Sequence, residues 1–119
     1  MTLMSAARDA VVPQRGDVWW VSLDPTQGAE IRKTRPCLVL SANTLNRLRP
    51  TVVVVPLSAD AKAHPPITIP VRCRDRDAVA VIDQVRAVAK HRLRARIETA
   101  RENDVRSVLA ALARILEIR

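Results

Sequence analysis

Thr51-Val52-Val53-Val54-Val55-Pro56-Leu57-Ser58 reads as a strand before anything else in the chain does. Branching at Cβ stiffens valine and suits it to a pleated surface. The four consecutive valines are apolar on both faces, which predicts a strand in the middle of a sheet with both sides covered. Ser58 follows at the strand's end.

Upstream, 43–49 reads as a short helix or turn, and 36–41 as a strand opened by Pro36, since proline is tolerated at a strand's first residue. Before it, 28–35 is polar and charged with breakers close by and is expected to be an exposed loop carrying Glu30, Arg32, Lys33 and Arg35. Asp24-Pro25-Thr26-Gln27-Gly28 separates that loop from an earlier strand at 17–23, entered past Pro13 and Gly16. Trp19 and Trp20 lie in this strand. Alternation sends one to the core and the other to the surface or a dimer contact.

Downstream, 58–66 is a loop with Lys62, His64 and Pro65-Pro66, and 67–71 alternates toward a strand. A charged turn is expected at 72–77, then strands at 78–82 and 84–88 with Asp83 between them. Thr99-Ala100-Arg101-Glu102 matches a capping box, and Val105, Val108, Leu109, Leu112, Ile115 and Leu116 fall on one helical stripe. The fold expected is mainly β with α (α+β). About five or six short strands form a twisted antiparallel sheet or partly closed small barrel, with a C-terminal amphipathic helix.

The 119 residues hold one domain, placed at 15–119, after an N-terminal tail at 1–14 expected to be disordered. Aromatics are 2% of the chain, so aliphatic packing must supply the core. Twenty Lys and Arg against twelve Asp and Glu give a net charge of +8, which favours a polyanionic partner. Arginine dominates that excess, and its planar fork suits phosphate and stacks on bases. A basic surface without a partner explains the charge equally well. Cys37 and Cys73 have no metal-ligand or disulfide spacing, and Cys37 sits in an apolar run as a small hydrophobe. No signal peptide and no run near the roughly 20 apolar residues of a membrane span is present, so a cytoplasmic protein without a membrane role is expected.

Nucleotide loops, nucleophile elbows and zinc-protease motifs are absent, and His64 and His91 stand at no ligand spacing. What remains is a set of carboxylates, arginines and hydroxyls at strand ends: Glu30, Arg35, Ser58, Asp83 and Arg86. Here a resemblance enters. Arg15-Gly16-Asp17-Val18-Trp19, then Leu23-Asp24-Pro25-Thr26-Gln27-Gly28-Ala29-Glu30 and Thr34-Arg35-Pro36-Cys37-Leu38-Val39-Leu40-Ser41, resemble the MazF/PemK family of toxin endoribonucleases. Val55-Pro56-Leu57-Ser58 resembles its second motif and Asp83-Gln84-Val85-Arg86 its third, in the family's order.

The resemblance implies an SH3-like barrel with a terminal helix, a homodimer, and metal-independent, cofactor-free cleavage of single-stranded RNA at short sequences. The RNA implied is messenger, with transfer or ribosomal RNA left open. Products would be a 2′,3′-cyclic phosphate and a 5′-hydroxyl, and an acidic MazE-like antitoxin would neutralise the protein. Arg35 matches the family's catalytic arginine before proline. Ser58 stands where the family has threonine, keeping the donor and losing the stiffening methyl. Glu30 matches a family glutamate that could act as base or orient the arginine, and Asp83 the aspartate of the D-Q motif. In some relatives an arginine lies two residues before that aspartate; here it is Val81. Arg32, Lys33, Lys62 and Arg86 are candidate RNA contacts. A CcdB-like gyrase poison, which has no need of Glu30, Arg35 and Ser58, and a non-catalytic nucleic-acid-binding module, which would bind but release no product, are the rivals.

Overall fold

The computed structural model describes residues 12–23 and 33–119. Among them seven strands form an antiparallel sheet: β1 (Asp17–Ser22), β2 (Thr34–Val39), β3 (Thr51–Ser58), β4 (Thr68–Cys73), β5 (Arg76–Val81), β6 (Arg86–Ala89) and β7 (Leu93–Thr99). Helix α1 (Asn43–Leu48) precedes β3, α2 (Glu102–Ile115) ends the chain, and single-turn 3₁₀ segments at Ile82–Gln84 and Lys90–Arg92 flank β6. The order is β4-β5-β3-β2-β1-β7, with β6 also on β3. The path ends at β4 and β7, so the sheet stays open.

The valine strand is central, as its two apolar faces require. β3 pairs with β2 through Val54, Val55 and Pro56, with β6 through Thr51 to Val54, and with β5 through Leu57 and Ser58. Successive residues feed two cores on opposite faces of the sheet. Val18, Leu38 and Val55 pack with Val108 and Ala111 of α2, while Trp19, Cys37, Val39 and Val54 pack with Val21, Leu23, Val52 and Val88. Each fully buried valine contributes about 1.5–3 kcal/mol by leaving water. A charge at Val54 or Val55 would remove that and add an unpaired buried ion.

The stripe on α2 is where its spacing put it, with Val105, Leu109, Leu112 and Ile115 against the first core; Leu116, at the C-cap, is exposed instead. The capping box does not form. Thr99 is the last residue of β7, the N-cap is Arg101, and no side chain caps the helix. Glu102 and Asp104 in its first turn complement the helix dipole, and Asp104 accepts the Arg72 backbone N–H at 2.9 Å, tying α2 to β4. β7 is the strand that sequence patterning did not supply, and it raises the count from five or six to seven.

Residues 1–11 of the expected tail lie outside the described residues. Within 12–14, Pro13 is buried and the Gln14 N–H donates to the Asp17 carboxylate at 2.9 Å. Asp17, 4% exposed, also accepts the Trp19 indole N–H at 3.2 Å and pairs with the Arg96 guanidinium at 3.2 Å. A buried carboxylate is tolerable because all these partners face it. Gly16, at φ +92°, makes the turn that lets its N–H reach Val39 O and its carbonyl accept from Ala100.

Candidate functional site

The ladder between β2 and β3 runs Val39↔Val54, Leu38↔Val55, Cys37↔Pro56 and stops. Two steps further in the same register, Arg35 would face Ser58. Instead Leu57 and Ser58 turn to Ala80 and Val79 of β5, while Thr34, Arg35 and Pro36 stay on β1 opposite Ser22, Val21 and Trp20. Pro36 and Pro56 stand at the divergence and offer no N–H to hold the strands together. The strands part and leave a cleft of about 210 Å³.

Arg35 and Ser58 both line this cleft, with Trp20 and Pro36 on one side and Arg74, Arg76 and Asp77 of the β4–β5 hairpin on the other. Arg35 is therefore on a strand, not in the loop expected for it. It is half-buried, and its Nε is fully buried without a hydrogen-bond partner among the described residues. A buried cationic donor left unsatisfied is costly. Ser58 Oγ accepts the Asp60 N–H at 3.3 Å, a strand-end contact that leaves its own proton free to donate. Asp77 is taken up by the Arg72 guanidinium at 2.7 Å, so the arginines set the sign of the cleft.

The other expected site residues are more scattered. Glu30 and Arg32 lie outside the described residues. Lys33, at φ 68°, is exposed, and its carbonyl accepts the Leu23 N–H at 2.9 Å. Lys62 is exposed in the loop after Ser58, where its carbonyl accepts the Thr68 hydroxyl at 2.8 Å. Asp83, exposed in its 3₁₀ turn, does not line the cleft, and no ion pair joins it to Arg86. Arg86 opposes Val54 and so leaves from the face of the sheet that carries Arg35, Cys37 and Val39.

Burial pushes the Cys37 thiol up to about 12, against the opposing pull of the Arg86 charge. Cys73, also buried and free, is raised by burial and by Glu98. Both thiols stay protonated at neutral pH and are poor nucleophiles. Among the described residues no three His, Cys, Asp or Glu side chains come together as a metal site, and no helix is long and apolar enough to cross a membrane.

Arg74 and Arg76 are cleft residues that sequence reasoning missed. Their segment read as a charged turn, and nothing in it announced that the hairpin folds back over β1. The arrangement can grip a phosphodiester: a guanidinium and a hydroxyl with a free proton lie on diverging strands, in a basic cleft next to an indole face.

The model of PemK-like, MazF-like toxins of type II toxin-antitoxin systems matches residues 14–116. The endoribonuclease toxin MazF of Escherichia coli (strain K12) is 37% identical over 78 residues, 66% of this chain and 69% of that protein. A crystal structure of MazF from Deinococcus radiodurans superposes with a TM-score of 0.80 at 24% identity, covering 89% of this chain and 97% of that one. An endoribonuclease in complex with its cognate antitoxin from Mycobacterial species superposes with a TM-score of 0.75 at 22% identity, covering 90% and 97%. These two share the fold described above.

Proposed function

The chain belongs to the PemK-like, MazF-like toxin family of type II toxin-antitoxin systems, and from that premise we propose that it is an RNA-cleaving toxin neutralised by an antitoxin, with Arg35 and Ser58 at the centre of its active site. The observation that carries this assignment is that Arg35, whose buried Nε has no hydrogen-bond partner among the described residues, lines the cleft that Ser58 shares.

The reaction we infer is transesterification within RNA. The ribose 2′-oxygen attacks the adjacent phosphorus, its proton passes to a base, the bond from phosphorus to the 5′-oxygen breaks, and that oxygen takes up a proton. A 2′,3′-cyclic phosphate and a 5′-hydroxyl result. Charge grows on the non-bridging oxygens, where the Arg35 fork and the Ser58 hydroxyl would stabilise it. Glu30, three residues before Lys33, is the nearest candidate in sequence for proton transfer, with Asp83 behind it because it stands away from the cleft. Lys33, Lys62, Arg32 and Arg86 would position the backbone on either side. The reaction needs no metal in this scheme.

The surplus of eight positive charges suits both the RNA and an acidic antitoxin tail competing for the same groove. A homodimer would present two such clefts, and the cytoplasm is the compartment where the substrate lies. The test is incubation of the purified protein, in EDTA, with a long single-stranded RNA and its DNA counterpart, followed by mapping of the ends. RNA-only cleavage leaving cyclic phosphates, lost in Arg35→Ala, is expected. Intact RNA, or cleavage undiminished by Arg35→Ala, would refute the assignment and leave the gyrase-poison alternative to be tried.

A further inference from the structure

The β4–β5 hairpin closes on two residues, Arg74 and Asp75, between the paired Cys73 and Arg76. Both take positive φ, 53° and 61°. Turns of this shape ordinarily use Asn-Gly, because other side chains are strained there. The strain is held in place from outside. The Arg72 guanidinium grips the Asp75 carbonyl at 2.8 Å and the Asp77 carboxylate at 2.7 Å, and the Arg74 N–H donates to the Glu98 carboxylate of β7 at 2.9 Å. Strain maintained by several converging contacts points to a use for the conformation.

Its result is that the Arg74 guanidinium lies over the Trp20 indole, Cζ 5.2 Å from the ring centroid. Trp20 is half-buried beside Pro36, and Arg74 is exposed. The chain has two aromatic residues, and Trp19 is buried and bonded to Asp17, so Trp20 is the aromatic face at the surface. Both members of the stack line the cleft with Arg35 and Ser58.

We propose that Arg74, backed by Trp20, is a nucleobase-stacking subsite that takes a base neighbouring the phosphate gripped by Arg35. A guanidinium held over an indole is a flat cation whose open side can take a base by stacking and cation–π attraction. This rests on the ribonuclease assignment above and adds a specificity-determining residue that the family motifs do not contain. Of the two roles an arginine here could play, base platform or phosphate contact, the place of the guanidinium over the Trp20 ring favours the first.

The experiment uses 2′-fluoro RNA oligonucleotides, which lack the attacking hydroxyl, with an abasic position moved along the strand, and reads affinity by fluorescence anisotropy. Arg74→Gly suits the positive φ and should fold at least as well as the parent. It is expected to bind the intact oligonucleotide roughly tenfold more weakly. At one position, removing the base should weaken the parent protein by a similar factor and leave Arg74→Gly unchanged. Arg74→Lys, which keeps the charge and loses the plane, should remain weak. Equal abasic penalties in parent and variant at every position, full recovery in Arg74→Lys, or no binding by the parent would each overturn the subsite. Failure of the ribonuclease assignment would show separately, as unmodified RNA left intact by the parent protein.

Discussion

Replacing Arg35 by methionine should make the protein more stable and less active at once. Methionine keeps the length of the aliphatic stem and removes every donor. The buried Nε has no partner among the described residues, and a buried donor left unmade costs about 1–3 kcal/mol. Because the rest of Arg35 is only half-buried, the lower end applies, a gain near 1 kcal/mol. For a domain of this size that is roughly a 4 °C rise in Tm. In the cleavage reaction the same change removes a charged donor from the developing oxyanion, where loss of one donor typically lowers the rate about 10²–10³-fold. Urea unfolding at constant m-value reads the first effect, and single-turnover cleavage reads the second. Inorganic phosphate should stabilise the parent and not the variant. A variant destabilised by about 1 kcal/mol or more, with activity reduced only as far as its folded fraction, would show Arg35 to be structural.

Ser58→Thr should retain cleavage, since the hydroxyl donor survives and χ1 stiffens, whereas Ser58→Ala should slow single-turnover cleavage at least tenfold with little change in oligonucleotide affinity. Asp17→Ala removes the acceptor for Gln14 and the Trp19 indole and the partner of Arg96, so a loss of about 2 kcal/mol in urea unfolding is expected, and a loss below about 0.5 kcal/mol would contradict the packing described. Cys37 is raised to about 12 in the fold from an ordinary 9.0, so below pH about 9 it is neutral in both states, and above it only the unfolded chain ionises. Stability should fall as pH rises from about 9 toward 12, by up to about 4 kcal/mol, and Cys37→Ala should flatten that decline. Rapid alkylation of native Cys37 at pH 8 would contradict it.

The strands that are apolar on both faces, β1 to β3, were legible because two cores need continuous apolar runs. β7 was not. Leu93, Ala95 and Ile97 do alternate with Arg94, Arg96 and Glu98, but the strand lies at the sheet edge, buries little, and reads as a basic connection. The same error placed Thr99 in a cap instead of a strand. Arg35 and Ser58 could be named from motifs, yet what brings them together is the register Cys37↔Pro56 and the parting of the strands beyond it, a property of pairing that no single segment carries. Arg74 was illegible for a stronger reason: its place over Trp20 depends on a turn conformation that its residue types disfavour.

The most direct test of the central claim is a single 2′-deoxy substitution at the mapped scissile nucleotide of an otherwise unmodified RNA oligonucleotide. If the 2′-oxygen is the nucleophile and the Arg35–Ser58 cleft holds the adjacent phosphate, cleavage at that bond should vanish while binding stays within a few-fold of the unmodified strand. Continued cleavage at the deoxy position would mean that water attacks instead, and the role assigned to the cleft would be wrong.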